Sequence, residues 1–178
     1  MTTSCPAGSA PPGSAPPDSA TVTEPGPDCA LCPRLRDFRH ANRAAYPDWH
    51  NAPVASFGGL DAALLIVGLA PGLRGANQTG RPFTGDFAGD LLYASLAKFG
   101  FSEGVYAARS DDGLKLLECR ITNAVRCVPP QNKPVGAEVT ACRRFLKDEI
   151  SSLKRLRIIL ALGTLAHGAV LTTLGEKK

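Results

Sequence analysis

The sequence predicts an α/β fold in which a parallel sheet is covered on both faces, and three observations carry that prediction. Three short apolar runs rich in β-branched residues occur, at 63–68 (ALLIVG), 120–126 (RITNAVR) and 158–163 (IILALG). Each is followed by turn residues or by a helical pattern. The chain has 178 residues, 44% hydrophobic and 20% charged, which is enough for one domain with its own core. Near-continuous apolar strands alternating with helices belong to sheets buried on both faces, and such sheets are built from parallel βαβ units.

In chain order, residues 1–28 come first and read as a disordered tail. They hold seven of the 15 prolines among Ala, Ser, Gly and Thr, with three acids and no Lys or Arg. A segment with no apolar periodicity cannot bury enough surface to offset chain entropy. It also has neither the basic start nor the apolar run of a secretory signal. The domain is therefore expected over 29–178. Helices are predicted at about 30–45, 87–99, 136–155 and 164–174. In the third, Val139, Cys142, Leu146, Ile150 and Leu153 recur at spacings of three or four and share one face. Residues 158–175 carry no charge, but Gly163, His167, Gly168 and three threonines interrupt them. IILALG therefore reads as a buried strand and TLAHGAVLTTL as the helix after it, not as a membrane span. A soluble, cytoplasmic monomer is expected.

All 20 Lys and Arg fall in 29–178 together with 13 of the 16 acids, so the domain carries a formal +7. A compact basic domain with 11 aromatic residues suits an anionic partner such as nucleic acid. The composition excludes collagen-like, wholly disordered and disulfide-scaffold classes.

Six cysteines occur, at 5, 29, 32, 119, 127 and 142. Cys29 and Cys32 form a CxxC where the tail ends, a spacing that lets two thiolates grip one centre. Cys127 ends the second apolar run, and Cys142 lies on the apolar face of the third helix. Zinc would favour a second tight pair, and none is present. A CxxC with two separated cysteines suits an iron–sulfur cluster at least as well. Spacing alone leaves zinc, a cluster and plain core thiols open.

After the first strand comes GLAPGLRGANQTGRPFTGD, residues 68–86. Glycine-rich chain at the carboxyl end of a parallel strand is where α/β proteins bind ligands. The spacing of Gly68, Gly72 and Gly75 matches neither a Walker loop nor a dinucleotide fingerprint. Phe83, set between Pro82 and Thr84 and leading into Asp86, points to a planar ligand stacked on a ring beside a backbone cradle.

This loop resembles the first motif of the iron–sulfur uracil-DNA glycosylases in the version carried by family 5. The resemblance continues through ITNAVRCVPPQNKP (121–134) and the cysteine set at 29, 32, 127 and 142, covering roughly 29–175. It implies a three-layer α/β/α fold, a structural [4Fe–4S] cluster held by Cys29, Cys32, Cys127 and Cys142, and hydrolysis of the bond joining a damaged base to deoxyribose. Cys5 and Cys119 fall outside the ligand pattern. Family 4 has a glutamate as the second residue of its GEAPG; here that position is Leu69, the mark of family 5. The family-5 carboxylate then corresponds to Asp86, with Asn132 as a further polar active-site position. Asn123 matches the asparagine that reads the pyrimidine edge in family 4.

On this reading Gly68, Ala70, Gly72, Gly75, Phe83 and Asn123 form the base pocket, while Arg74, Arg81 and Lys133 contact phosphates. The substrate is DNA containing uracil or other deaminated bases. The target base must leave the stack, and Asp86 opposes the positive charge that develops on the sugar. Trp49, His40 and His50 are assigned to packing around the first connection, and His167 to a structural role. The family has a further strand and a His-x-Ser loop after the last helix, short of which this sequence stops, so the reading expects a truncated form. The alternative is a non-catalytic iron–sulfur DNA-binding module.

Overall fold

The computed structural model describes residues 22–176. The elements run α1 (Pro33–Ala45), β1 (Leu64–Gly68), α2 (Ala76–Thr79), α3 (Phe87–Lys98), β2 (Ser102–Glu103), β3 (Lys115–Leu116), β4 (Cys119–Asn123), a 3₁₀ turn (Pro130–Asn132), α4 (Gly136–Ser152), β5 (Ile158–Ala161) and α5 (Thr164–Leu174). Among the described residues, no helix is long and apolar enough to cross a membrane.

The main sheet has the order β4-β1-β5, with both pairs parallel. Gly68 stands opposite Asn123, so β1 and β4 end side by side. The two-residue period of a strand sends β1's side chains to opposite faces. Leu65 and Val67 join Ala124, Leu146, Leu153, Ala169 and Val170 on the side covered by α4 and α5. Ile66 joins Tyr93, Leu96, Leu114, Cys119 and Ile121 on the side covered by α3. This is the three-layer α/β/α arrangement. A third group, Leu35, Val125, Cys142 and Phe145, joins α1 to α4 beneath the cysteines.

Three boundaries differ from the sequence reading. The second run stops being a strand at Asn123, so Cys127 lies in the loop beyond it and does not end the strand. IILALG is not buried: Ile158 is 61% and Leu160 44% exposed. Its strand pairs only with β1 among the described residues, leaving one edge and part of one face open. Residues 22–28, assigned to the tail by composition, pack on the domain, whereas 1–21 lie outside the described residues.

A buried charge explains the packing of 22–28. Glu149 on α4 is fully buried between Arg120 and Arg126, at 2.6 Å from each. Two arginines against one glutamate leave a positive excess, and Glu24 meets it at 2.9 Å from Arg126 and 3.5 Å from Arg120. Arg126 also donates to Ser56 Oγ, and Arg120 to the Gly58 carbonyl. The network ties the entering chain to β4 and α4.

Burial opposes ionisation of Glu149, but the two guanidiniums outweigh it and hold its pKa below the usual glutamate range. A lowered folded-state pKa gives stability that is present at neutral pH and lost as pH falls through that range. Glu149→Gln should cost about 3–5 kcal/mol at pH 7, because it strands buried arginine charge. Urea unfolding at several pH values should show the gap between wild type and variant narrowing below about pH 4.5. A gap independent of pH would contradict this role.

Candidate active site and cysteine centre

At the carboxyl ends of β1 and β4, Phe83 and Asn123 crowd so closely onto the chain that only glycine fits at position 68. A Cβ added to Gly68 would lie 2.5 Å from Asn123 Oδ1 and 2.5 Å from Phe83 Cζ. Gly68, Phe83 and Asn123, expected from the sequence to share a pocket, are therefore brought together. Asn123 is buried, and its amide makes no hydrogen bond among the described residues.

Phe83 adopts a left-handed backbone, φ 55°, which a bulky residue holds only when its surroundings enforce it. They do so from behind. The Tyr93 hydroxyl donates to the Pro82 carbonyl at 2.8 Å, and Tyr106 donates to the Phe83 carbonyl at 3.4 Å. The two tyrosines stack with ring centres 4.2 Å apart. Burial pushes the Tyr93 phenol well up, so it remains a donor at neutral pH. Thr79 and Thr84 share a 2.6 Å hydroxyl contact across the loop. A Cβ at Gly75 would run into the Thr84 carbonyl, which makes glycine necessary there too. Gly72 turns the chain, its carbonyl accepting from the Gly75 and Asn77 amides.

Asp86 stands exposed at the rim and caps α3, its Oδ1 accepting from the Gly89 amide at 2.9 Å. Its Oδ2 has no hydrogen bond among the described residues, so one carboxylate oxygen faces solvent. Asn132 stands on the exposed 3₁₀ turn, at φ 56°, beside exposed Lys133. The Ala70 methyl packs on the apolar group around Cys142, joining the pocket loop to the cysteines. Leu69 is half-buried and supplies no carboxylate. Trp49 stacks on Tyr46 at 4.0 Å, a packing role, and His167 lies exposed on α5.

Arg81 corrects the sequence reading. It was expected on phosphates alongside Arg74, but only Arg74 is exposed. Arg81 is 4% exposed, pairs with buried Asp112 at 2.6 Å, donates to the Ser110 carbonyl and lies 4.3 Å above the Phe57 ring. Asp112 also accepts from the Ala107 and Leu114 amides. Burial alone would raise the Asp112 pKa, yet these bonds and Arg81 together lower it. Neither Asp112 nor the tyrosines carried a local signal of their tie to this loop, because the loop partners they hold lie 11 to 31 residues away.

Cys29, Cys32, Cys127 and Cys142 line one cavity with Pro25, Leu35 and Phe145. They come from the two ends of a short turn, the loop after β4, and α4. Cys119 lies apart on the α3 face of the sheet, and Cys5 is outside the described residues. Two N–H groups point at sulfur: the Arg126 amide at 3.4 Å from Cys142 Sγ and Arg39 Nη1 at 3.6 Å from Cys127 Sγ. Burial pushes the Cys127 thiol up to about 12 and the Cys142 thiol up to about 11. Among the described residues, no three His, Cys, Asp or Glu side chains converge closely enough to hold a single ion. An all-sulfur set with N–H donors and an apolar wall fits a thiolate-bound cluster, whose ligands stand farther apart than those of one ion.

A parallel sheet with Gly68, Phe83 and Asn123 gathered at its strand ends, and four cysteines lining one cavity, makes this an α/β protein with a candidate site at the carboxyl edge of its sheet. Residues 55–177 match the family model of the uracil DNA glycosylase superfamily, and the chain belongs to that superfamily. Within it, the chain is 42% identical over 156 residues to the type-5 uracil-DNA glycosylase of Thermus thermophilus, covering 84% of this chain and 70% of that protein. It is 41% identical over 152 residues to the type-5 enzyme of Pyrobaculum aerophilum, covering 83% and 67%. The type-4 uracil-DNA glycosylase of that same organism is 36% identical over 141 residues, covering 79% and 64%.

If Arg81 supports the loop from within, Arg81→Met should lower the unfolding free energy by about 3–5 kcal/mol, because Asp112 keeps a buried charge. Adding Asp112→Leu should recover much of that loss in urea titrations. A single variant as stable as wild type would return Arg81 to the surface role.

Proposed function

We propose that this chain is a DNA glycosylase that releases uracil, and other deaminated bases, from DNA by hydrolysing the N-glycosidic bond and leaving an abasic site. The observation that carries the reading is the meeting of Gly68, Phe83 and Asn123 at the strand ends, with Asp86 on the rim.

A stacked base is out of reach, so the nucleotide must first swing out of the duplex. Phe83 offers its ring face to the extrahelical base, and the Asn123 amide pairs with its polar edge. An amide has both a donor and an acceptor, so turning it over accommodates more than one deaminated base. As the glycosidic bond breaks, positive charge spreads over the sugar and negative charge over the base. The free oxygen of Asp86 faces the first and orients the attacking water, while loop amides around Gly68–Gly75 meet the second. Leu69 leaves this work to Asp86. Asn132 is assigned to the same site from the opposite loop. Exposed Arg74 and Lys133 take phosphates, contacts that position the DNA without reading sequence.

Cys29, Cys32, Cys127 and Cys142 would hold a [4Fe–4S] cluster, which when bound supplies a rigid cross-link between the N-terminal turn, the β4 loop and α4. The acting species in this reading is a cytoplasmic monomer that reaches the nucleoid through DNA.

Incubation with uracil-containing DNA should yield alkali-labile abasic sites, and their absence would sink the reading. Asp86→Asn separates chemistry from folding, because asparagine caps a helix as well as aspartate does. Thermal stability and DNA affinity should stay near wild type while single-turnover release slows by about a hundredfold or more. Equal losses of affinity and rate would make Asp86 only a cap. Asn123→Ala should change the ranking of damaged bases more than DNA affinity. If all bases suffered alike, its base-reading role would be lost.

A further inference from the structure

Four arginines are buried, and three have carboxylate partners: Arg81 has Asp112, and Arg120 and Arg126 share Glu149 and Glu24. The fourth does not. Arg39, on α1, is 1% exposed, and no carboxylate pairs with it among the described residues. Its Nη2 donates to the Cys29 carbonyl at 2.9 Å and its Nη1 to Cys127 Sγ at 3.6 Å, while its buried Nε has no partner. Nearby acids are engaged elsewhere. Asp28, next to Cys29, pairs with Arg43 at 2.6 Å, and Glu138 pairs with Arg34 at 2.7 Å.

A guanidinium does not shed its proton inside a protein, so Arg39 is a fixed buried cation. Burying a lone charge is strongly unfavourable unless an opposite charge lies against it. Every other buried arginine of the described chain obeys this rule. What Arg39 touches is the cysteine centre, at two of its four cysteines. Neutral thiols would give it a weak acceptor and no charge. Four thiolates around a cluster give a net negative group, and the fork of Arg39 already points at it.

We infer that Arg39 is the charge partner of the group held by Cys29, Cys32, Cys127 and Cys142, setting how tightly that group is retained and how readily it accepts an electron. α1 then begins at the CxxC pair and supplies the compensating cation about two turns later. The inference rests on the cluster reading given above.

The test uses intact protein purified without oxygen. Wild type should be brown, with matched iron and sulfide. In Arg39→Met, loss of the cation should shift the reduction potential to more negative values, because an added electron is less stabilised. It should also speed loss of visible absorbance to a chelator by about tenfold or more, as expected for a residue supporting metal ligands. Arg39→Lys, which keeps charge without the fork, should hold the potential near wild type and lose iron at an intermediate rate. Should Arg39→Met not accumulate as folded protein, Arg39→Gln drops the charge while keeping amide donors and carries the same expectation. A neutral variant with lowered thermal stability but an unchanged potential would make Arg39 merely a packing residue and overturn the inference. A wild-type protein that is colourless and iron-free would instead overturn the cluster reading itself, and the inference with it.

Discussion

Everything that makes this molecule more than a small α/β layer stack depends on Gly68 and Asn123 ending side by side in parallel strands. Past those residues the ladder persists for one step on each side, with the Ala124 amide donating to the Gly68 carbonyl and the Val125 amide to the Leu69 carbonyl. Only then do the two loops separate. One carries the glycines, Phe83 and Asp86; the other carries Cys127, Asn132 and Lys133. Candidate site and cysteine centre therefore grow from the same pair of strand ends, and Ala70 packs the first loop on the apolar group that holds Val125 and Cys142. Because side chains alternate along a strand, a one-residue slip of β4 would turn Asn123 away from the gap at Gly68.

Buried charge fixes the loops that the ladder leaves free. The pair Arg81–Asp112 clamps the pocket loop to the 107–114 excursion, and Glu149 with its two arginines clamps β4 to α4 and to the entering chain. Replacing such pairs with apolar residues is often neutral for stability, so their retention here fits a role in specifying position. Phe83 illustrates the need. Its left-handed backbone is sustained by two tyrosine hydroxyls, a threonine pair and the arginine clamp, and its ring packs on the apolar group that includes Tyr93.

Much of this was legible in the sequence. The three apolar runs mark β1, β4 and β5, and the spacing of Val139, Cys142, Leu146, Ile150 and Leu153 gives α4 its buried face. The glycine-rich loop, Phe83 and Asn123 were readable because close backbone approach demands glycine and a motif keeps its order along the chain. What escaped was set by distant partners. Arg81 has the same local sequence whether it meets a phosphate or an aspartate 31 residues on. Glu24 sits in proline-rich chain that looks unstructured until two buried arginines, themselves 96 and 102 residues away, are placed beside it. Arg39 lies in a helix with many charges, and only burial distinguishes it from Arg36 or Arg43.

The central claim is that Phe83 and Asn123, gathered on Gly68 at the strand ends, receive the flipped base, and Gly68→Ala tests it most directly. A single methyl would push Phe83 and Asn123 away from the strand end while leaving the buried charges and the cysteines in place. A lowered unfolding midpoint, DNA affinity near wild type and single-turnover release of uracil reduced by about a hundredfold or more are expected, the scale set by small misplacements of bound substrate. A folded Gly68→Ala protein that releases uracil at the wild-type rate would show that the base binds elsewhere and that this geometry has been misread.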